Sequence, residues 1–157
     1  MNRFRIPLLT GVVLAGALAL VSAQSDPEIG TWKLNTAKSR YNPGPAPKNQ
    51  TITIAAAGNG ISVTSTGTDG AGRPINTTYT VSYDGKDTPV KGSPSYDMTS
   101  LKRVNATTTE LARKKQGKLV QTTRRVVSAD GKTMTVTTTG ENEQGIKINN
   151  IGVFDKQ

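Results

Sequence analysis

Few side chains in this 157-residue chain are able to perform covalent chemistry. The chain contains no cysteine and no histidine, which removes thiol and imidazole nucleophiles, the usual general base near neutral pH, and zinc, copper or haem sites that use these ligands. Its 11 carboxylates stand mostly in turns such as Asp69-Gly70, Asp84-Gly85 and Asp130-Gly131, without a calcium-loop pattern or a Glu-x-x-Glu pair. We therefore expect a non-catalytic protein that uses no metal and no other cofactor.

The chain has an excess of positive charge, with a formal net charge of +9. Segment 102–125 is opposed only by Glu110 and holds Lys102, Arg103, Arg113, Lys114, Lys115, Lys118, Arg124 and Arg125. On an extended strand neighbouring side chains point to opposite faces, so one of Arg124 and Arg125 faces inward, and Lys102 and Arg103 divide in the same way. An inward guanidinium needs a counter-charge or an anionic ligand, because an unpaired buried charge is costly.

The same segment supports a second interpretation, in which its basic residues form a solvated outer face. As candidate surface anion-binding residues we take Lys102, Arg103, Arg113, Lys114, Lys115, Lys118 and Arg124. Such a face suits anionic lipid head groups or acidic cell-wall polymers. Nucleic acid is not expected as a partner, because segment 102–125 contains no aromatic residue on which a base would stack.

The first 23 residues predict an export signal. Arg3 and Arg5 precede an uncharged apolar run over residues 6–20, and Val21-Ser22-Ala23 places small residues where a signal peptidase cuts. The run is shorter than the ~20 residues that a membrane span requires. We expect cleavage after Ala23 and a secreted or periplasmic, monomeric protein with no transmembrane span; retention of the segment as an anchor is the alternative. Because the chain lacks disulfides, bacterial export fits best.

Residues 24–157 show the pattern of one all-β domain. Ile52 and Ile54 alternate with Thr51 and Thr53, and similar threonine- and valine-rich runs are separated by Gly-Asn-Gly, Asp-Gly and Gln-Gly turns. No run has a sustained helical period. The pattern predicts an antiparallel up-and-down barrel of about 8–10 strands, with a sandwich as the alternative.

A barrel of this size is either filled by side chains or holds one small ligand. The side chains that alternation directs inward are medium-sized: Ile52, Ile54, Ile61, Val63, Tyr79, Val81, Tyr83, Met134, Val136, Ile148 and Phe154. Ligand sites are apolar with a few placed polar groups. Our candidate ligand contacts are therefore Tyr79, Tyr83 and Arg125, with Trp32 as a further candidate.

The tripeptide Gly30-Thr31-Trp32 is a Gly-x-Trp motif ahead of this β pattern, and it resembles the start of the lipocalins and related calycin-type barrels. The stretch GTWKLNTAKSRYNPGPAPK, residues 30–48, is similar to small exported bacterial proteins with lipocalin-like barrels. The resemblance implies that Gly30 allows close approach, that Trp32 plugs the closed end, and that a basic residue from a late strand packs across Trp32. Arg124 and Arg125 are the candidates for that residue.

The chain departs from fatty-acid-binding relatives of these barrels. Residues 150–154 read Asn-Ile-Gly-Val-Phe where those proteins carry Arg-x-Tyr, and no helical lid pair or disulfide is present. The sequence thus predicts an exported, non-catalytic, lipocalin-like protein that binds a small hydrophobic or amphipathic molecule inside its barrel. One alternative is an envelope- or polyanion-associating module that acts through strands 102–125. Another is a hydrolase or isomerase on this scaffold that uses Asp, Glu or Tyr.

Overall fold

A computed structural model describes residues 26–157, so the predicted export signal lies outside the described part of the chain. Within this range, one 3-10 turn (Thr36–Lys38) follows the first of ten strands: β1 (Gly30–Leu34), β2 (Asn49–Ala57), β3 (Gly60–Thr68), β4 (Pro74–Ser82), β5 (Thr88–Pro89), β6 (Met98–Asn105), β7 (Thr108–Lys115), β8 (Lys118–Val127), β9 (Thr133–Glu141) and β10 (Lys147–Lys156). None of the helical segments in residues 26–157 is long and apolar enough to cross a membrane.

All ten strands belong to one antiparallel sheet with the order β4-β3-β2-β1-β10-β9-β8-β7-β6-β5. Strand β1 pairs with both β2 and β10, so the two ends of the meander meet there. The remaining gap between β4 and β6 is narrowed by the isolated bridges Thr78 to Lys91 and Asp84 to Lys102. This nearly closed barrel confirms the predicted all-β, up-and-down, calycin-like fold.

Period-two alternation explains which side chains face the interior. On β8, Gln121, Thr123, Arg125 and Val127 are buried, whereas the residues between them are exposed. A strand places successive side chains on opposite faces, so every second residue of β8 faces the interior although polar and apolar residues are mixed along it. Arg125 therefore enters the barrel and Arg124 stays outside, which fits the predicted division of the two residues and identifies the inward one.

The interior is packed at one end, the closed end, and hollow at the other, the mouth. Four inward rows cross β8, β9 and β10 from the closed end to the mouth: Val127–Met134–Phe154, Arg125–Val136–Gly152, Thr123–Thr138–Asn150 and Gln121–Gly140–Ile148. Large side chains fill the first row, and small ones dominate the rows above it. A Cβ atom at Gly152 would lie 2.9 Å from the Phe154 ring and 3.0 Å from the Tyr41 hydroxyl. The Phe154 ring and the Tyr41 hydroxyl therefore occupy the place of a side chain at Gly152, and open space remains between the upper rows and the opposite wall.

Trp32 is fully buried in the packed half, and its indole N–H donates to the Glu28 carbonyl at 2.8 Å. The Lys156 ammonium lies 4.9 Å from its ring centroid, and Gly30, at a φ of +144°, leaves room for the Lys156 side chain. The expectation that Arg124 or Arg125 packs across Trp32 is wrong. Strand β10 is the direct neighbour of β1 and sets Lys156 opposite Trp32, whereas two strands separate β8 from β1.

Candidate functional site

A cavity of about 460 Å³ lies in the mouth half of the barrel. That volume falls in the range of small-molecule sites, about 300–1,000 Å³. One part of the wall is apolar and consists of Ile52, Val136, Ile148 and Phe154. The other part is polar and includes Tyr96, Arg113, Gln121, Arg125, Thr138 and Asn150. The cavity therefore has the mixed surface that suits an amphipathic molecule.

The floor of the cavity is held by a buried polar network around Arg125. Arg125 is 2% exposed and donates to the Tyr79 hydroxyl at 2.5 Å. Its Nη1 atom lies 3.8 Å from Oε2 of the fully buried Glu28, whose other carboxylate oxygen accepts from the Thr109 hydroxyl. Burial alone would lower the pKa of Arg125, but Tyr79 and Glu28 more than offset it and raise that pKa. The guanidinium therefore stays charged, with Glu28 as its counter-ion.

Arg113 projects into the cavity from β7, on the same inward face as Thr109 and Leu111. Its guanidinium stacks on the Tyr96 ring at 4.6 Å and donates to the Gln121 side-chain oxygen at 3.3 Å. None of the ion pairs formed within residues 26–157 includes Arg113. The prediction of Arg113 as a surface residue is thus wrong, because its position two residues after Leu111 turns it inward.

Tyr83 and Arg103 lie at the closed end and not in the cavity. Both donate to the Asp26 carboxylate, and the Arg103 guanidinium lies 4.1 Å from the centroid of the Tyr83 ring. Burial raises the pKa of Tyr83, and its hydrogen bond to Asp26 adds to the shift. This cluster fastens the segment ahead of β1 to β6, so both residues have a structural partner in place of a ligand.

The remaining basic residues of segment 102–125 lie on the outer face or at the mouth turn. Arg124 is ion-paired with Glu110 at 2.8 Å, and Lys114 with Asp87 at 2.6 Å. Within residues 26–157, no ion pair includes Lys102, Lys115 or Lys118. The predicted basic face is therefore smaller than the sequence suggests, since three arginines face inward and two outer residues are neutralised.

Of the four predicted ligand contacts, Arg125 lines the cavity. Tyr79 is outside the lining and accepts a hydrogen bond from the Arg125 guanidinium. Trp32 and Tyr83 lie elsewhere. Gln121 is not among the predicted site residues, although the alternation along β8 carries a signal for it, two residues before Thr123 on the inward face. No periodic signal marks Tyr41 and Tyr96, because both stand in loops. Tyr41 lies beside Gly152, and burial raises its pKa to about 12, so it is a neutral hydrogen-bonding group at physiological pH.

The mouth is narrowed by contacts between loops. Arg73 donates to Asp69 at 2.8 Å and to Glu143 at 2.6 Å, which links the β3–β4 turn to the β9–β10 turn. Backbone and side-chain hydrogen bonds from Arg73 lower the pKa of Asp69. Pro45 packs against Gly70, where a Cβ atom would lie 2.4 Å from the proline ring. Asp69 is the one carboxylate residue in the cavity lining, and it is already paired.

Groups of three Asp or Glu side chains suitable for a metal ion do not occur within residues 26–157. The chain matches no family model and no curated protein. Among solved structures it is similar to zebrafish ileal bile acid-binding protein in complex with cholic acid, with 11% sequence identity and a TM-score of 0.51. The match covers 83% of this chain and 99% of that one. At this identity the similarity establishes a shared calycin-type barrel fold.

Proposed function

We propose that this protein is an exported, non-catalytic binding protein that holds one small amphipathic molecule in the mouth half of its barrel. The observation that carries the proposal is the cavity of about 460 Å³, which joins an apolar wall to two inward guanidinium groups. A barrel built only for stability gains nothing from an arginine such as Arg113, which faces the interior and has no carboxylate partner in the described residues 26–157.

The apolar wall supplies the affinity in this proposal. Ile52 and Phe154 are almost fully buried, and with Val136 and Ile148 they line one side of the cavity. Removing apolar ligand surface from water at such a wall contributes roughly 25 cal/mol per Å² before the costs of association. A short alkyl or ring system would therefore bind here, with its polar end directed to the opposite wall.

The solved structure with the same fold supports this use of the barrel, because that protein is a bile acid-binding protein in complex with cholic acid.

The lining of the cavity also favours binding over catalysis. Its only carboxylate, Asp69, is ion-paired with Arg73, so no free acid or base faces the cavity from residues 26–157. The alternative of polyanion association draws less support, because the outer basic residues are partly neutralised by Glu110 and Asp87.

The proposal predicts that the mature protein binds N-phenyl-naphthylamine, a neutral apolar dye whose fluorescence rises in dry surroundings. We expect saturable binding of one dye molecule per chain, because the cavity of about 460 Å³ in the mouth half has the volume for one small molecule. Fluorescence titration gives the affinity, and native mass spectrometry gives the stoichiometry. Absence of saturable binding to the folded protein would refute the proposal.

A further inference from the structure

We infer that Arg113 recognises charge in this cavity and that the bound molecule is a monoanion, with a carboxylate or a similar oxyanion at its polar end. The inference rests on the proposed function and deepens it. It follows from the balance of charge inside the barrel, from the hydrogen bonds that Arg113 makes and leaves open, and from the position of Arg113 relative to the apolar wall.

The charge balance separates Arg113 from the other inward arginines. Arg103 is ion-paired with Asp26, and Arg125 has Glu28 as its counter-ion. Arg113 alone among these three has no carboxylate partner within residues 26–157. A half-buried guanidinium that lacks a counter-ion is electrostatically unfavourable. An entering anion would supply that counter-ion, so the cavity favours one negative charge.

The hydrogen-bonding groups point to the same ligand chemistry. The Nε atom of Arg113 is buried and has no partner, while one terminal nitrogen is occupied by Gln121 and the planar face rests on Tyr96. These contacts orient the guanidinium and leave its second terminal nitrogen, Nη2, which makes no hydrogen bond within residues 26–157, to donate to an oxyanion in a charge-assisted hydrogen bond. Arg125 differs from Arg113, because Glu28 balances its charge and its Nε and Nη1 atoms, which have no hydrogen-bond partner within residues 26–157, are buried.

The strand register gives the ligand a direction. Arg113 is opposite Gln121, in the row nearest the mouth, whereas Arg125 lies four residues further along β8 toward the closed end. Four residues of strand span about 13 Å. The anionic group therefore lies near the mouth beside Arg113, and the apolar part extends toward Val136 and Phe154.

The test compares decanoate with decanol, which have the same carbon chain and differ in charge. Slightly above neutral pH, where the carboxylate is ionised, each competes against N-phenyl-naphthylamine. We expect the unaltered protein to prefer decanoate by about tenfold or more, because a hydrogen bond to a charged group contributes about 1.5–3 kcal/mol. Arg113→Gln should abolish that preference, and Arg113→Lys should retain most of it.

Two controls make the outcome specific. Lys118→Gln removes an outer positive charge and should leave the decanoate preference unchanged. Urea unfolding and far-ultraviolet circular dichroism establish that Arg113→Gln is folded, and the affinity of each competitor is expressed relative to the dye affinity measured for the same variant. Equal binding of decanoate and decanol by the unaltered protein, or a preference that survives Arg113→Gln, would overturn the inference and leave the proposed function standing. Failure of the unaltered protein to bind the dye and both competitors would refute the proposed function and this inference together.

Discussion

Replacing Glu28 with glutamine is expected to lower the free energy of unfolding by about 3 kcal/mol. Glu28 is fully buried and provides the counter-charge of Arg125, which is 2% exposed. Glutamine keeps the size of the side chain and an oxygen for the Thr109 hydroxyl, so the change removes the charge and little else. Removing one member of a buried ion pair costs about 3–5 kcal/mol. We expect the low end of that range, because Arg125 keeps its hydrogen bond to the Tyr79 hydroxyl.

Urea unfolding, followed by Trp32 fluorescence and far-ultraviolet circular dichroism, measures this loss. The matched control is Glu110→Gln, which removes the ion pair with Arg124 on the outer face. That pair is about half exposed on both sides, so its loss should cost at most ~1 kcal/mol. Adding Arg125→Met to Glu28→Gln should recover part of the stability, since an apolar side chain leaves no unpaired charge. Equal losses for Glu28→Gln and Glu110→Gln would contradict the network described for the cavity floor.

Replacing Val136 with tryptophan is expected to weaken binding of N-phenyl-naphthylamine by at least about tenfold, a loss of about 1.4 kcal/mol. Val136 lies in the row between Arg125 and Gly152, at the centre of the cavity wall. An indole ring at this position projects into the cavity that Val136 lines. Because the ring enters an existing cavity, the free energy of unfolding should change by less than ~1.5 kcal/mol.

The control for this variant is Thr137→Trp, one residue further along β9 and on its outer face. Thr137 pairs with Arg124 and Ile151 and is absent from the cavity lining. An indole ring there should leave dye binding unchanged. Both variants are compared by fluorescence titration after their folding has been checked by urea unfolding. Undiminished dye binding by Val136→Trp would place the dye site outside the barrel interior.

The period-two alternation of side chains along the strands predicts the barrel and much of the lining of its cavity. The alternation along β8 identifies Gln121, Arg125 and Val127 as inward, and the spacing from Leu111 to Arg113 carries the same information on β7. The expectation that Arg113 lies at the surface rests on the general preference of basic side chains for solvent. The period of two overrides that preference once the strand closes into a barrel.

The rest of the site depends on contacts that no local pattern encodes. Glu28 meets Thr109 across 81 residues of chain, and Asp26 meets Arg103 across 77. Lys156 faces Trp32 only because closure of the sheet makes β10 the neighbour of β1. Tyr41 and Tyr96 reach the cavity from loops, where side-chain direction follows no period. These contacts are set by the order of strands and by loop paths, which composition and spacing do not determine.

The central claim is that the mouth half of the barrel binds a small amphipathic anion while the closed end stays packed. Methyl-resolved nuclear magnetic resonance during a decanoate titration tests this claim most directly. We expect saturable shifts at Ile52, Val136 and Ile148, which line the cavity, and little change at Ile54, Ile61 and Leu101 in the packed core. Shifts confined to residues of the outer face, or no shifts at saturating decanoate, would contradict the account.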